Sequence, residues 1–209
     1  MENRSTINKY FDTERSAHDY IEKYEENKNF FNAILQTGRK EDLEFVLPIK
    51  IYKYASSLNH DGQYTNALKA IEEIEKDLMK LHSISTRHKL LNESTTFIKG
   101  VCLGRLKKYK ESNSEFRKIL KVNPDNDKYM SWYKSNLISI VDKYLKTIAI
   151  LSIFFYLTIL TLQFFGIKMP VFVRVIGPII LLTTIASMFL TEKIINKLNL
   201  NFKKYGASC

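Results

Sequence analysis

Few side chains in this sequence could act as metal ligands, nucleophiles or proton carriers, and those few are scattered. Zinc and iron sites want ligands at short, fixed spacings, as in His-Glu-x-x-His. The four histidines, His18, His60, His82 and His88, offer no such spacing; His82 and His88 flank a predicted helix end and read as solvated. Cys102 falls mid-helix on a predicted packed face, where a thiol is inert. With Cys209 it makes two cysteines in all, too few for a disulfide framework. No Ser–His–Asp or Cys–His set is credible. The phosphate-cradling patterns GxxxxGK[ST] and GxGxxG are both absent. Acidic runs such as Glu72-Glu73 and Glu22, Glu25 and Glu26 are simplest as solvated helix faces. The expectation is a non-enzymatic protein, with no catalytic residue, no metal and no cofactor assigned.

Charge carries more. Of the 32 Lys+Arg and 22 Asp+Glu, 26 and 21 precede residue 147. Residues 1–86 hold 12 basic and 15 acidic side chains, whereas residues 87–121 hold 10 and 3. The basic cluster is Arg87, Lys89, Lys99, Arg105, Lys107, Lys108, Lys110, Arg117, Lys118 and Lys121. Close to a cytoplasmic leaflet, each basic side chain is drawn to anionic lipid by about 1 kcal/mol. Lipid is the first use for this patch and an acidic protein partner the second. Nucleic acid comes third, since its usual aromatic platform or recognition motif is not seen. A patch with no specific role is also open.

Where the acids stop, oil begins. Residues 147–167 are 21 residues without a charge. As a helix they reach about 32 Å, which matches a hydrocarbon core of about 30 Å. A buried core helix rarely needs such a length with no polar face. A transmembrane helix is expected there, and a second over residues 170–191, of which 175–191 are uncharged. Arg174 sits near the start of the second span, as a basic side chain reaching back to the headgroups or, more sharply, as a charge on an ion path. Only Gly-Ile-Lys-Met-Pro separates the spans, which forces a helical hairpin with both ends on one side. Lys143 and Lys146 precede the hairpin, and Lys193, Lys197, Lys203 and Lys204 follow it; its tip holds Lys168 and Arg174. The positive-inside rule then puts both termini in the cytoplasm. The polar opening of the chain has no signal-peptide pattern. Abundant Asn, Lys and Ile hint at an AT-rich bacterial genome, and so at a bacterial inner membrane. Thr183, Ser187 and Thr191, with Thr158 and Thr161, could line contacts between copies or bond their own helix backbone.

The soluble part must position everything else, and it reads as all-α. Ala67, Leu68, Ile71, Ile74 and Leu78 form one apolar stripe of helical period. Two stretches align, "IYKYASSLNHDGQYTNALKAIEEI" and "TFIKGVCLGRLKKYKESNSEFRKILKVNPDN". Each has a helix, a brief turn, a tyrosine and a second helix. This resembles the tetratricopeptide repeat, a helix–turn–helix unit of about 34 residues. In the second copy Gly100 takes the small place where the helices cross, Tyr109 and Phe116 the aromatic places and Pro124 the closing proline. In the first, Ala55 takes the small place, Gly62 the turn, Tyr64 the aromatic and Ala67 the next small place. Lys99 and Ser112 depart from the pattern. Tyr64 and Tyr109 are 45 apart rather than 34, so a longer helix or a linker is expected between the copies. A generic helical bundle is the plainer alternative.

The expected organisation is a short tetratricopeptide-like solenoid followed by two transmembrane helices. Residues 1–40 form an N-terminal capping region, with a leading helix over 11–36. Residues 41–126 hold the repeats. Residues 127–146 form a closing helix that runs into the first span at 147–167, since no Gly or Pro interrupts the junction; a flexible joint near Lys146 is the alternative. The second span covers 170–191, and 192–209 is a basic tail.

The resemblance implies a groove lined by the first helix of each repeat. Those positions are Ile49, Tyr52, Lys53, Ser56 and Asn59, then Ser94, Phe97, Ile98, Val101 and Arg105. Tyr52 and Ser56 stand where the family's carboxylate clamp has Lys and Asn, which disfavours chaperone-tail recognition. An apolar or mixed peptide held by Tyr52, Phe97 and Arg105 is expected instead, unless the leading helix simply covers this surface. The function expected is a membrane-anchored adaptor binding an unidentified protein or peptide partner, with anionic lipid as a second partner and a homo-oligomer possible. The alternative is a two-span effector of the bacterial defence type, which oligomerises and permeabilises the membrane when its cytosolic domain is triggered.

Overall fold

In the computed structural model, residues 4–81, 86–167, 170–171, 175–180, 182–184 and 186 are described. They contain nine α-helices of defined bounds, one π-helical segment, further helical residues at 175–180 and 182–184, and no strand. The chain divides into one unit ending at Tyr129 and a second beginning at Met130.

The first unit opens with three short helices, α1 (Arg4–Asp12), α2 (Ala17–Glu26) and α3 (Lys28–Gln36). A single leading helix over 11–36 is therefore not formed. The break has a local cause. Ser16 accepts from the Asp19 N–H at 3.2 Å, and Asp19 accepts from the Ser16 N–H at 3.3 Å. This reciprocal capping box satisfies two orphan donors and restarts the helix. Apolar side chains from all three helices enter the core, among them Phe11, Tyr24 and Phe31.

Helix α4 (Lys40–Pro48), a π-helical segment (Ile49–Ala55) and α5 (Ser56–His60) follow one another without a break. Pro48 explains the irregularity. It has no N–H to give the Glu44 carbonyl, its partner in a regular helix. The Arg87 guanidinium donates to that carbonyl instead, at 3.1 Å. Wider π winding begins at the next residue, Ile49.

Helices α6 (Tyr64–Lys80), α7 (Thr86–Arg105) and α8 (Tyr109–Val122) complete the first unit. The 45-residue offset between the two sequence copies is absorbed by the lengths of α6 and α7, with 17 and 20 residues. Helix α6 packs on the π-helical segment and on α7, and α7 packs on α8. The α5–α6 and α7–α8 turns share one hydrogen-bond pattern. Gln63 N–H reaches Leu58 C=O at 2.9 Å, and Lys108 N–H reaches Leu103 C=O at 2.9 Å. The left-handed residue is Gly62 (φ 80°) in the first turn and Lys107 (φ 61°) in the second. These are Schellman caps, which close a helix through one αL residue.

Helix α9 (Asp127–Phe164) runs for 38 residues. It covers both the expected closing helix and most of the expected first span as one element. Gly166, at φ 75°, ends it, with Ile167 N–H bonded to Leu162 C=O at 3.1 Å. Its apolar part is bare: large side chains from Ile148 to Phe164 are exposed. Of its most apolar 18-residue stretch, 11% is buried. It is long and apolar enough to cross a membrane.

Candidate functional site

The predicted groove residues sit on two neighbouring helical stretches. Tyr52 and Lys53 belong to the π-helical segment, Ser56 and Asn59 to α5, and Phe97, Val101 and Arg105 to α7. Two hydrogen bonds join the stretches: Ser94 Oγ to Tyr52 Oη at 3.1 Å and Cys102 Sγ to Asn59 Oδ1 at 3.4 Å. The surface they form is not uniform. Val101, at 5% exposure, belongs to the interior, and Ile49 and Ile98 are buried as well. Lys53 donates to the Tyr20 hydroxyl at 3.1 Å and lies 4.6 Å from that ring, so α2 covers this end. Tyr52, at 45% exposure, and Arg105 face solvent.

Beside Tyr52, Phe97 belongs to an aromatic group of which sequence patterning missed one member, Tyr129. Phe97 meets Phe116 edge-on at 6.0 Å and Tyr129 at 5.3 Å, with Lys128 Nζ 4.5 Å from its ring. Burial, and then its hydrogen bond to Glu93 at 2.6 Å, push the Tyr129 phenol up to about 12. Asn123 donates to the same Glu93 oxygen at 2.7 Å. Tyr52, Ser94, Phe97 and Tyr129 thus form a continuous half-exposed polar and aromatic strip. Such a strip can bury apolar side chains of a peptide while offering hydroxyls to its backbone.

Of the expected repeat-signature residues, Ala55, Ala67, Gly100 and Phe116 lie in packed positions between helices. Ala55 and Ala67 are fully buried. Gly100 faces the Phe116 ring, and Ser112 donates to the Gly100 carbonyl at 2.6 Å. Tyr64 and Tyr109 open α6 and α8, half-buried, and Pro124 is exposed beyond the end of α8.

The basic cluster divides into paired and unpaired members. Arg87 is tied to Glu44, Lys99 to Glu75 at 2.8 Å, and Lys118 to Glu115 at 2.7 Å. Burial works against the Lys99 charge, but the Glu75 hydrogen bond and the surrounding carboxylates outweigh it, so its pKa is raised. Arg105, Lys110 and Arg117 also have partners. Lys89, Lys107, Lys108 and Lys121 are exposed and form no ion pair among the described residues.

Two buried charge clusters have no sequence signature. Asp42, 1% exposed, accepts from Thr37, Arg4 and Arg39. The Thr37 hydroxyl first, then the Arg4 guanidinium, hold its carboxyl down at about 2. Lys50, 2% exposed, points from the π-helical segment to Glu73 at 2.9 Å and Asp77 at 3.7 Å. Nearby, Tyr24 and Tyr54 stack at 4.0 Å, and Tyr54 donates to Glu25. Burial raises the pKa of both phenols. A cleft of about 410 Å³ opens there, but its polar groups largely satisfy one another.

Burial pushes the Cys102 thiol up to about 12, away from nucleophilic use. No cluster of metal-ligating side chains occurs among the described residues.

In the second unit, Lys143 and Lys146 are exposed, with Lys146 on Asp142 at 2.7 Å. Lys168, Arg174 and Lys193 lie outside the described residues, as do His82, Ser187 and Thr191. A side chain on Gly177 would meet Ile159 Cδ1 at 3.3 Å and Tyr156 Cδ2 at 3.5 Å. Thr147, Ser152, Thr158, Thr161, Thr183 and Thr184 each donate to a carbonyl one turn back. No protein family, no curated protein and no solved structure matches this chain.

Proposed function

We propose that the chain is a membrane-anchored, non-catalytic adaptor. Its first unit is a short tetratricopeptide-like array that presents a partner surface at the cytoplasmic face of a membrane, and its second is a two-helix anchor. One observation carries the reading: α9 exposes its apolar residues over a length suited to a bilayer. In water such a surface is a liability; in lipid it is the solvent-facing side.

Four further observations support the details. The matching α5–α6 and α7–α8 turns favour a repeat over an unrelated bundle. Gly177 against Ile159 and Tyr156 favours a second helix folded back on α9, with both termini cytoplasmic by the distribution of lysines. The Tyr52–Phe97–Tyr129 strip is the surface for a protein or peptide. The hydroxyls of the apolar segments are occupied within their own helices, which favours an anchor over a polar contact between copies.

The test is made on the full chain in cells. Resistance of the chain to alkaline carbonate, with release by detergent, supports the anchor; release by carbonate alone overturns it. Saturable capture of one protein by the detergent-extracted chain, lost in the Tyr52→Ala/Phe97→Ala variant, supports the adaptor. A chain anchored in the membrane with no saturable partner overturns that half.

A further inference from the structure

We infer that the cleft between α2 and α6 is a binding site for a small zwitterion with an apolar side chain, an α-amino acid of the leucine or phenylalanine type. The cleft lies wholly within the first unit, so the inference goes beyond the adaptor reading without depending on it. Its volume of about 410 Å³ is in the range of small-molecule sites.

The Tyr24 hydroxyl points to a ligand. Tyr24 lines the cleft, yet the residue as a whole is 1% exposed. Its ring is stacked on Phe31 at 4.8 Å and on Tyr54 at 4.0 Å, so what it turns to the cleft is its hydroxyl edge. That hydroxyl forms no hydrogen bond among the described residues. A buried polar group left without a partner costs stability. Burial first, and then Tyr54, Glu73 and Glu25, keep the phenol protonated. It is a donor that lacks an acceptor, while its neighbour Tyr54 already donates to Glu25.

The charges around it define the ligand. Glu25 pairs with Lys28 at 3.0 Å. Glu73 accepts from the buried Lys50 at 2.9 Å through one oxygen, and its other oxygen accepts nothing among the described residues. Lys69 is exposed and makes no ion pair among the described residues. It stands one turn before Glu73 on α6, the order in which Lys and Glu pair less well. Free capacity of both signs therefore remains on one face of α6, at positions whose Cβ atoms are about 5–6 Å apart. The charged side chains lining the cleft are Glu25, Lys28, Lys69 and Glu73, which sum to zero. A bare anion would meet Glu25 and Glu73, and a bare cation Lys28 and Lys69. A molecule with both charges on one carbon meets neither penalty. Its carboxylate takes the Tyr24 hydroxyl and Lys69, and its ammonium takes the open Glu73 oxygen. Ile21, Leu58 and Ala70 supply an apolar wall for its side chain.

Isothermal titration calorimetry on the full chain in detergent micelles tests this, with L-leucine and L-phenylalanine as probes. We expect saturable binding of at least one of them. The amide and the N-acetyl derivative each lose one charge and should bind about tenfold more weakly, the worth of one charged hydrogen bond. Tyr24→Phe keeps the ring stack and removes only the hydroxyl. It should weaken binding about tenfold, yet leave the ligand-free melting temperature unchanged or higher, since the fold loses no hydrogen bond. Lys69→Gln should weaken binding by a similar factor. No saturable heat with either amino acid overturns the proposal. So does equal binding of the uncharged N-acetyl amide, which would reduce the site to an apolar crevice. Full-strength binding to both Tyr24→Phe and Lys69→Gln overturns it as well, as does a Tyr24→Phe chain that melts lower without ligand, because the hydroxyl would then serve the fold. A chain that proves soluble is titrated in buffer, so failure of the membrane reading leaves this test intact.

Discussion

Gly100 and Phe116 are packed so closely that a Cβ on the glycine would stand 2.9 Å from Phe116 Cζ. No real Cβ tolerates that distance, and Phe116 is fully buried with little room to withdraw. Gly100 sets how near α7 and α8 can approach. The Ser112 hydroxyl, on the Gly100 carbonyl, fastens the same crossing.

Gly100→Ala tests that crossing, with two effects opposed. Alanine gains about 1 kcal/mol in helix propensity, while overpacking costs about 1–3 kcal/mol. The expected net is a loss of about 1 kcal/mol, read as a lower urea midpoint. Gly100→Val adds bulk without comparable helix propensity and should fall further. Phe116→Leu should partly rescue Gly100→Ala by vacating the space.

Such a crossing is legible in a sequence because both partners sit in one helix hairpin, 16 residues apart. A small residue, a turn and an aromatic at set intervals are enough to mark it. Asp42 shows the opposite case: its partner Arg4 is 38 residues away, and a charge pair across that distance leaves no periodic trace. The break before α2 lay between these extremes. Ser16 and Asp19 have the spacing of a capping box, but no Gly or Pro between residues 11 and 36 marks the break. At the proposed partner surface, the tetratricopeptide resemblance placed Tyr52 and Phe97 near one another. It could not tell that α7 packs on two sides, which takes Val101 inside, or that Tyr20 lies over Lys53.

Asp42 should govern part of the acid sensitivity of the fold. Its carboxyl is held at about 2, below the usual 3.8. A depressed pKa means the charged form is favoured by folding. The contribution is therefore complete above pH 3.8 and is lost as pH falls toward 2. Urea midpoints of the natural chain and Asp42→Asn should differ at neutral pH and converge across that window. A gap that stays constant down to pH 2 would show that Asp42 is not held this way.

Arg87 and Pro48 should be coupled. Because Pro48 cannot serve the Glu44 carbonyl, the Arg87 guanidinium does. Arg87→Ala alone should cost about 1 kcal/mol, the worth of one hydrogen bond. In a Pro48→Ala background the helix can supply an N–H of its own, and Arg87→Ala should cost close to nothing. The double-mutant cycle measures this directly. Additive costs would mean that Arg87 acts elsewhere, for example as part of the basic surface.

Leu157 sits near the middle of the apolar part of α9, half exposed. If that face meets lipid tails, Leu157→Arg places a charge where insertion costs about 2.5–3.5 kcal/mol. The variant should shift from the membrane fraction toward aggregates or the soluble fraction. Tyr144→Arg, ahead of the apolar stretch, should remain membrane-bound, since a long basic side chain there reaches headgroups. A soluble protein with an exposed apolar helix would treat the two alike, because water meets both positions. The same cells, loaded with a membrane-potential dye, separate an anchor from a pore. Induction of the natural chain should leave the potential intact, while depolarisation that Leu157→Arg abolishes would replace the adaptor with a permeabilising effector.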